Sequence, residues 1–253
     1  MKKVFLFLSF AGIVLLSGCG SKRQITKSAA YPNFYTTKPV TVLLLPPINN
    51  TDYDEAKDMF HATLNMPICN AGYYVIPPFL SMEIMKQESA YNTEEFLNAP
   101  LLKFGEVFGA DVALFTIIHK WDKMAILGTI KVEIEYILKS VKTNDILYQR
   151  KGNITLNPNI YTPTSITPVG LIVAVAGTIG STITNAVTDK TPVGIICNNL
   201  MLFELPAGRY SPLNGRDGNL SAGEREVTTR IMGNAKENIK KTTRKYSVFT
   251  KVK

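Results

Sequence analysis

The chain has 253 residues, a length that supports one or two domains and a sizeable core. It is 45% apolar and 19% charged, with mean hydropathy +0.06 and formal net charge +8. This excludes a wholly disordered chain, a collagen and a polytopic membrane protein, and two His and three Cys leave few ways to build a transition-metal site.

Residues 1–19 read as an address. Lys2 and Lys3 precede an apolar run from Val4 to Leu16, and Leu16-Ser17-Gly18-Cys19 follows. This is the layout of a secretory signal peptide, because the apolar run is too short to span a bilayer. Its ending resembles the lipobox of bacterial lipoproteins. The resemblance implies a diacylglycerol on the sulfur of Cys19, cleavage before that residue, and an N-acyl chain such as palmitate on the freed amine. Two or more acyl chains anchor stably, whereas one binds marginally. Gly20 stands where an Asp would resemble an inner-membrane retention signal, which favours the outer membrane with the protein facing the periplasm. Cleavage leaves 26 Lys and Arg against 20 Asp and Glu, a net +6. Residues 19–38 read as a lipidated polar tether, and the fold as beginning at Pro39.

Val40 to Leu45, closed by Pro46-Pro47, reads as a strand buried on both faces. Asn49 to Asp52 is a polar turn with cap candidates, and residues 53–66 look helical, with Pro67 as an interruption. Gly72 ends that helix, Tyr73 to Ile76 is a second strand, and residues 79–89 a second helix. Asn92 and Glu95 have capping-box spacing. A short helix from Pro100 to Phe108, capped by Gly109, leads into a third strand from Ala110 to His119. Then the period changes: Ile130, Val132, Ile134 and Tyr136 alternate with polar residues, Lys142 to Asp145 turns, and Ile146 to Leu156 returns as the hairpin partner. A strand near Lys123 to Leu127, turning at Gly128, is a further option. The order βαβαβ plus an antiparallel hairpin predicts a single α/β (α+β) layered domain over residues 39–220, with helices covering the sheet.

Residues 157–168 are a Pro-bearing loop. Val169 to Val187 is rich in small and apolar residues and reads three ways: a spanning helix, a buried core helix, or a packing or oligomer surface around Gly170, Gly177 and Gly180. The packing reading is favoured, because Ser181, Thr182, Thr184 and Asn185 dilute the C-terminal half. A helix is expected from Pro192 to Phe203 and a Gly/Pro/Asn-rich loop over 204–220. The tail, 221–253, is basic. From residue 222 it holds nine Lys and Arg against three Glu, and Val227, Ile231, Ala235 and Ile239 suggest a narrow stripe on a C-terminal helical extension.

The run Val42 to Asn50, the segment Ala71 to Val75, the segment Phe108 to Asp111 and the run Ile183 to Asp189 together resemble the meningococcal-antigen-type lipoprotein family of unknown function, over roughly residues 36–216. The resemblance implies a core similar to the N-terminal domain of the Tol-system β-propeller protein and to the curli-secretion lipoprotein. It also implies other envelope lipoproteins, including a curli-secretion-like one, as partners. It brings no catalytic residues and no cofactor beyond the acyl groups. The basic tail departs from the family's usual length.

The residues offer little chemistry. There is no phosphate-binding Gly-rich loop. His61 and His119 stand alone and read as hydrogen-bonded structural histidines, with a cleft position as the sharper alternative for His119. Cys69 and Cys197 could form one disulfide in an oxidising compartment or remain as buried free thiols. Glu133 and Glu135 lie about 7 Å apart on one strand face, which reads as the solvated one. Asp52, Asp54, Glu55 and Asp58 crowd a helix start, where negative charge is favourable without any cation. The chain is therefore expected to be a non-enzymatic, acyl-anchored subunit of a multi-lipoprotein envelope or secretion assembly, with a homo-oligomer possible and no nucleic-acid or metal partner. A membrane-inserting pore that uses residues 169–187 is the alternative. A cell-wall hydrolase would need a convergent nucleophile and base.

Overall fold

A computed structural model describes residues 25–124, 128–156 and 190–231. The run read as a two-sided strand forms β1 (Thr41–Leu44), flanked by parallel β3 (Tyr74–Val75) and β4 (Val112–Met124). Its side chains alternate between two cores, Val42 and Leu44 entering one, Leu43 and Leu45 the other. Beyond Pro46-Pro47 the chain rejoins the sheet as β2 (Ile48–Asn49), also parallel to β4. β4, β5 (Thr129–Ser140) and β6 (Ile146–Leu156) make an antiparallel meander, and β7 (Glu226–Ile231) joins β6 in parallel. The order is β3-β1-β4-β5-β6-β7, with β2 beside β4, seven strands among the described residues. The fold is the mixed α/β layer that the element order predicts.

The first sheet face carries the larger core. It packs against α2 (Pro32–Thr37), α3 (Glu55–Asn70) and α7 (Thr191–Leu202) through Phe34, Phe60, Leu64, Ile68, Val193, Cys197 and Met201. The second face packs against α4 (Pro78–Gln87), α5 (Thr93–Phe96) and α6 (Leu102–Phe108) through Met85, Phe96 and Phe104. A buried amide pins the larger core. Asn198 of α7 accepts from the Tyr136 hydroxyl at 2.5 Å and donates to the Phe60 carbonyl at 3.0 Å and to Thr63 Oγ1 at 2.7 Å. Two helices and the central strand β5 thus share one fully satisfied polar node.

Two segments depart from the sequence reading, whereas helix α3 runs through Pro67 to Asn70 and ends ahead of Gly72 as read. Proline there removes one backbone bond near the helix end, while Leu64 and Ile68 on either side are fully buried and hold the turn. Residues 25–38 belong to the fold rather than to a tether: α1 (Lys27–Ala30) and α2 are helical, and Lys27, Tyr31 and Phe34 are buried. Residues 226–231 form β7, so Val227 and Ile231 sit on a strand and not on a helical stripe. There the unpaired edge of β6 offers a full ladder, which outweighs a weak helical pattern. Residues 232–253 lie outside the described residues. Asn92 also differs in detail, since its side chain meets Glu95 Oε1 at 3.3 Å without capping the α5 backbone.

His61 faces the core from α3, and burial lowers its pKa below the ordinary 6.5. A base whose folded pKa is depressed contributes stability that is present above its unfolded value and is lost as pH falls toward the folded one. The melting temperature is therefore expected to fall as pH drops below about 6.5, and His61→Gln should flatten that slope. Melting curves followed by the emission of Trp121, the sole tryptophan, at successive pH values check this.

Candidate functional site

The most elaborate polar construction joins the start of the fold to its last segments. Arg150 on β6 is 2% exposed. Its Nε donates to the Glu224 carbonyl at 3.0 Å, and its Nη1 donates to the Met201 carbonyl at 3.1 Å and the Leu200 carbonyl at 3.3 Å. The Tyr148 hydroxyl, two residues earlier on the same strand face, donates to the same Met201 carbonyl at 2.7 Å. The end of α7 is thus capped by side chains of β6, which satisfies carbonyls the helix leaves open. Lys27, also buried, donates to the Leu205 carbonyl at 3.3 Å and pairs with buried Asp217 at 3.8 Å. Asp217 in turn accepts from the Ala207 N–H at 2.7 Å. Burial raises the pKa of Glu204, against the pull of Arg150 and Lys27, and burial lowers that of Lys27.

Backbone bonds close the same junction. Lys27 N donates to the Leu220 carbonyl at 2.8 Å, Ser28 N to that of Gly218 at 3.0 Å, and Ala222 N to that of Ile25 at 2.9 Å. The loop that follows α7 is seated on the turn after α3, where Gly208 N donates to the Ala71 carbonyl at 2.8 Å and Tyr210 N to the Gly72 carbonyl at 2.9 Å. Two glycines make this approach possible. Gly72 adopts φ +91, and a Cβ on Gly208 would lie 2.3 Å from the Gly72 oxygen.

The second sheet face is covered by helices over β1 and the start of β4 but carries a polar floor across β5 and β6. Glu133 pairs with Lys151 at 2.8 Å, and Lys120 with Asp122 at 3.0 Å. His119 sits at the register shift between Ile118 and Lys120, and its Nε2 lies 2.9 Å from Glu135 Oε2. Glu135 also accepts from Gln149 Nε2 at 2.6 Å. His119 is thus hydrogen-bonded, and the extra residue of the bulge aims it at Glu135. It also lines a cleft of about 380 Å³ between the β2–α3 loop and β4, where Tyr53 stacks on Trp121 at 4.7 Å and Lys123 lies over the Tyr53 ring. Among the described residues no hydroxyl or thiol hydrogen-bonds to His119, so the pair has an oriented base without a nucleophile beside it.

The remaining sequence-read sites separate. Cys69 is exposed and Cys197 fully buried, and both are free thiols, so of the two readings it is the unpaired one that holds, with only Cys197 buried. Burial pushes the Cys197 thiol up, which keeps it protonated. The acidic start of α3 holds Tyr53–Glu55 and Asn49–Thr51 contacts, and no group of three or more metal-ligating side chains converges among the described residues. Cys19 lies outside the described residues, as do Gly170, Gly177 and Gly180. No helix among the described residues is long and apolar enough to cross a membrane. Sequence reasoning missed Arg150, although its spacing from Tyr148, Ile154 and Leu156 places it in the buried phase of β6.

The class these features define is a mixed α/β layer domain whose ends are stapled by buried charges. The chain belongs to the GNA1162-like lipoprotein family, whose model matches residues 29–206. That family is named for lipoproteins and not for an enzymatic activity. The chain is similar to the Neisseria meningitidis serogroup B lipoprotein NMB1124/NMB1162, at 28% identity over 118 residues, 46% of this chain and 53% of that one. It thus spans about half the length of the curated relative it matches. Among solved structures it is similar to lipoprotein GNA1162 from Neisseria meningitidis, at 22% identity with TM-score 0.45, covering 56% of this chain and 99% of that one. It is also similar to the PelC dodecamer from Paraburkholderia phytofirmans, at 14% identity with TM-score 0.32, covering 44% and 68%.

The two kinds of charged contact should respond differently to mutation. Arg150→Ala leaves three carbonyls and a buried carboxyl without their cation and is expected to cost about 3–5 kcal/mol. Lys151→Ala breaks a pair that is largely solvated and should cost less than about 1 kcal/mol. Urea unfolding of both variants, monitored at Trp121, checks the contrast.

Proposed function

We propose that this chain is an acyl-anchored lipoprotein of the outer membrane that faces the periplasm and serves as a non-enzymatic subunit of a multi-lipoprotein envelope or secretion assembly. The lipobox at Leu16 to Cys19 and membership of a lipoprotein family support the anchor. The observation that carries the binding role is the apolar exterior of the second helical layer. Phe79 is 81% exposed on α4, with Leu80 beside it, and Leu102 and Val107 are exposed on α6. Large apolar side chains left in water on packed helices favour a covering partner. The anchor restricts that partner search to the plane of the membrane, which raises the effective concentration of each subunit. Other envelope lipoproteins, a curli-secretion-like one among them, are the partners this reading names.

In-cell crosslinking of the tagged protein, followed by mass spectrometry, tests the reading. Other lipoproteins should be recovered in fixed ratio, and Phe79→Asp with Leu80→Asp should abolish their recovery while leaving the fold intact. Recovery of this chain alone would replace the assembly with a homo-oligomer. Cys19→Ala is expected to prevent acylation, read by mass spectrometry of the purified chain, and an unchanged acyl mass would remove the anchor.

A further inference from the structure

The fold begins close to the proposed anchor. Ile25 is already tied to Ala222 by a backbone bond, and five residues separate it from Cys19. At roughly 3.3–3.6 Å per residue, this chain reaches no further than about 20 Å. With Cys19 acylated, the end of the molecule that holds Ile25 stays within that reach of the anchoring leaflet, and a surface there that touches the headgroups should suit them.

On the side formed by Lys38 and the loop 207–216, that surface is basic and apolar. Ser28 on α1 bonds to Gly218, and Tyr35 on α2 approaches the same glycine, so the loop 207–216 flanks the N-terminal junction. Lys38 and Arg209 both line a cleft of about 400 Å³ that also includes Tyr35, Val40 and Asn214. Lys38, Arg209 and Arg216 are all exposed. Asp217, the only acid in residues 205–223, is 1% exposed and paired with Lys27. Tyr210 is 66% exposed and Leu213 52%, while Ile25 beside the anchor is 63% exposed. Cations interleaved with an exposed tyrosine and aliphatic side chains match the interface of an anionic bilayer. The loop is held in shape by its bonds to Ala71 and Gly72, so little ordering remains to be done on contact. Residues 207–216 lie beyond the stretch that matches the family model.

We propose that the loop 207–216, together with Lys38, rests on the phosphate headgroups of anionic phospholipid in the leaflet that holds Cys19. This orients the domain with α1 and the loop toward the bilayer. The proposal rests on the anchor reading above for the source of the lipid, but the surface can be tested separately.

The test uses the full-length chain, purified from membranes, carrying Leu213→Trp and reconstituted into vesicles of brominated phosphatidylcholine with or without phosphatidylglycerol. Trp121 is buried and serves as an unquenched reference for folding. The added indole should be blue-shifted and quenched in the vesicles that contain phosphatidylglycerol. Lys38→Ser with Arg209→Ser should reverse this, at about fivefold in loop–membrane partition per cation removed. Quenching that is equal in both vesicles, or untouched by the double substitution, overturns the proposal, as does protection of the added indole by a crosslinked protein without lipid quenching. Excess inorganic phosphate should compete only weakly; complete reversal at low concentration would make the cleft a site for free phosphate and overturn the bilayer assignment. Flotation scores the anchor independently. A chain that floats with an unquenched indole keeps the anchor and loses the surface, and a chain whose indole is quenched although acylation is absent keeps the surface and loses the anchor.

Discussion

A buried guanidinium cannot give up its charge and must therefore be given partners, and this requirement at Arg150 organises the molecule. Its carbonyl partners come from the end of α7 and from Glu224, just ahead of β7. The segment between these two points, 203–225, is thereby held against the sheet. That segment in turn provides Asp217 and the Leu205 carbonyl for Lys27, which draws the N-terminal residues onto the domain. The ionic groups need not make the fold more stable than an apolar replacement would. They do specify one arrangement of four segments that are distant in sequence.

The two sheet faces divide the remaining work. The first is covered by α2, α3 and α7 and contains the Asn198 node, so it behaves as an interior. The second is covered over the parallel strands and leaves charged pairs across the antiparallel ones. An antiparallel ladder tolerates such exposure because its alternation puts the polar phase outward. The result is a plate with an apolar helical exterior on one part and a polar floor on another.

Much of the fold was legible because its signals are local. The apolar run at 40–45, the alternation at 130–136, the turn at 142–145 and Gly109 at φ +65 each depend on a few adjacent residues. The segments misread are those whose structure depends on a distant partner. Residues 25–38 look polar, yet Lys27 is buried because Asp217 and Leu205 receive it. Residues 226–231 carry a faint helical stripe, yet the open edge of β6 takes them as a strand. Arg150 had a local trace, a charge in the buried phase of an alternating strand, but its meaning appears only with the carbonyls around it.

By itself the sequence pointed to the family and to most of the order of helices and strands, because each is written in contiguous residues. Tertiary structure alone decided that Cys69 and Cys197 remain apart. It also decided that His119 meets Glu135, that the N-terminal segment is part of the domain, and that Lys38 and Arg209 share a cleft. Those are contacts between residues from 16 to nearly 200 positions apart. Local propensity carries no information about them, and only the closing of the chain brings them within reach.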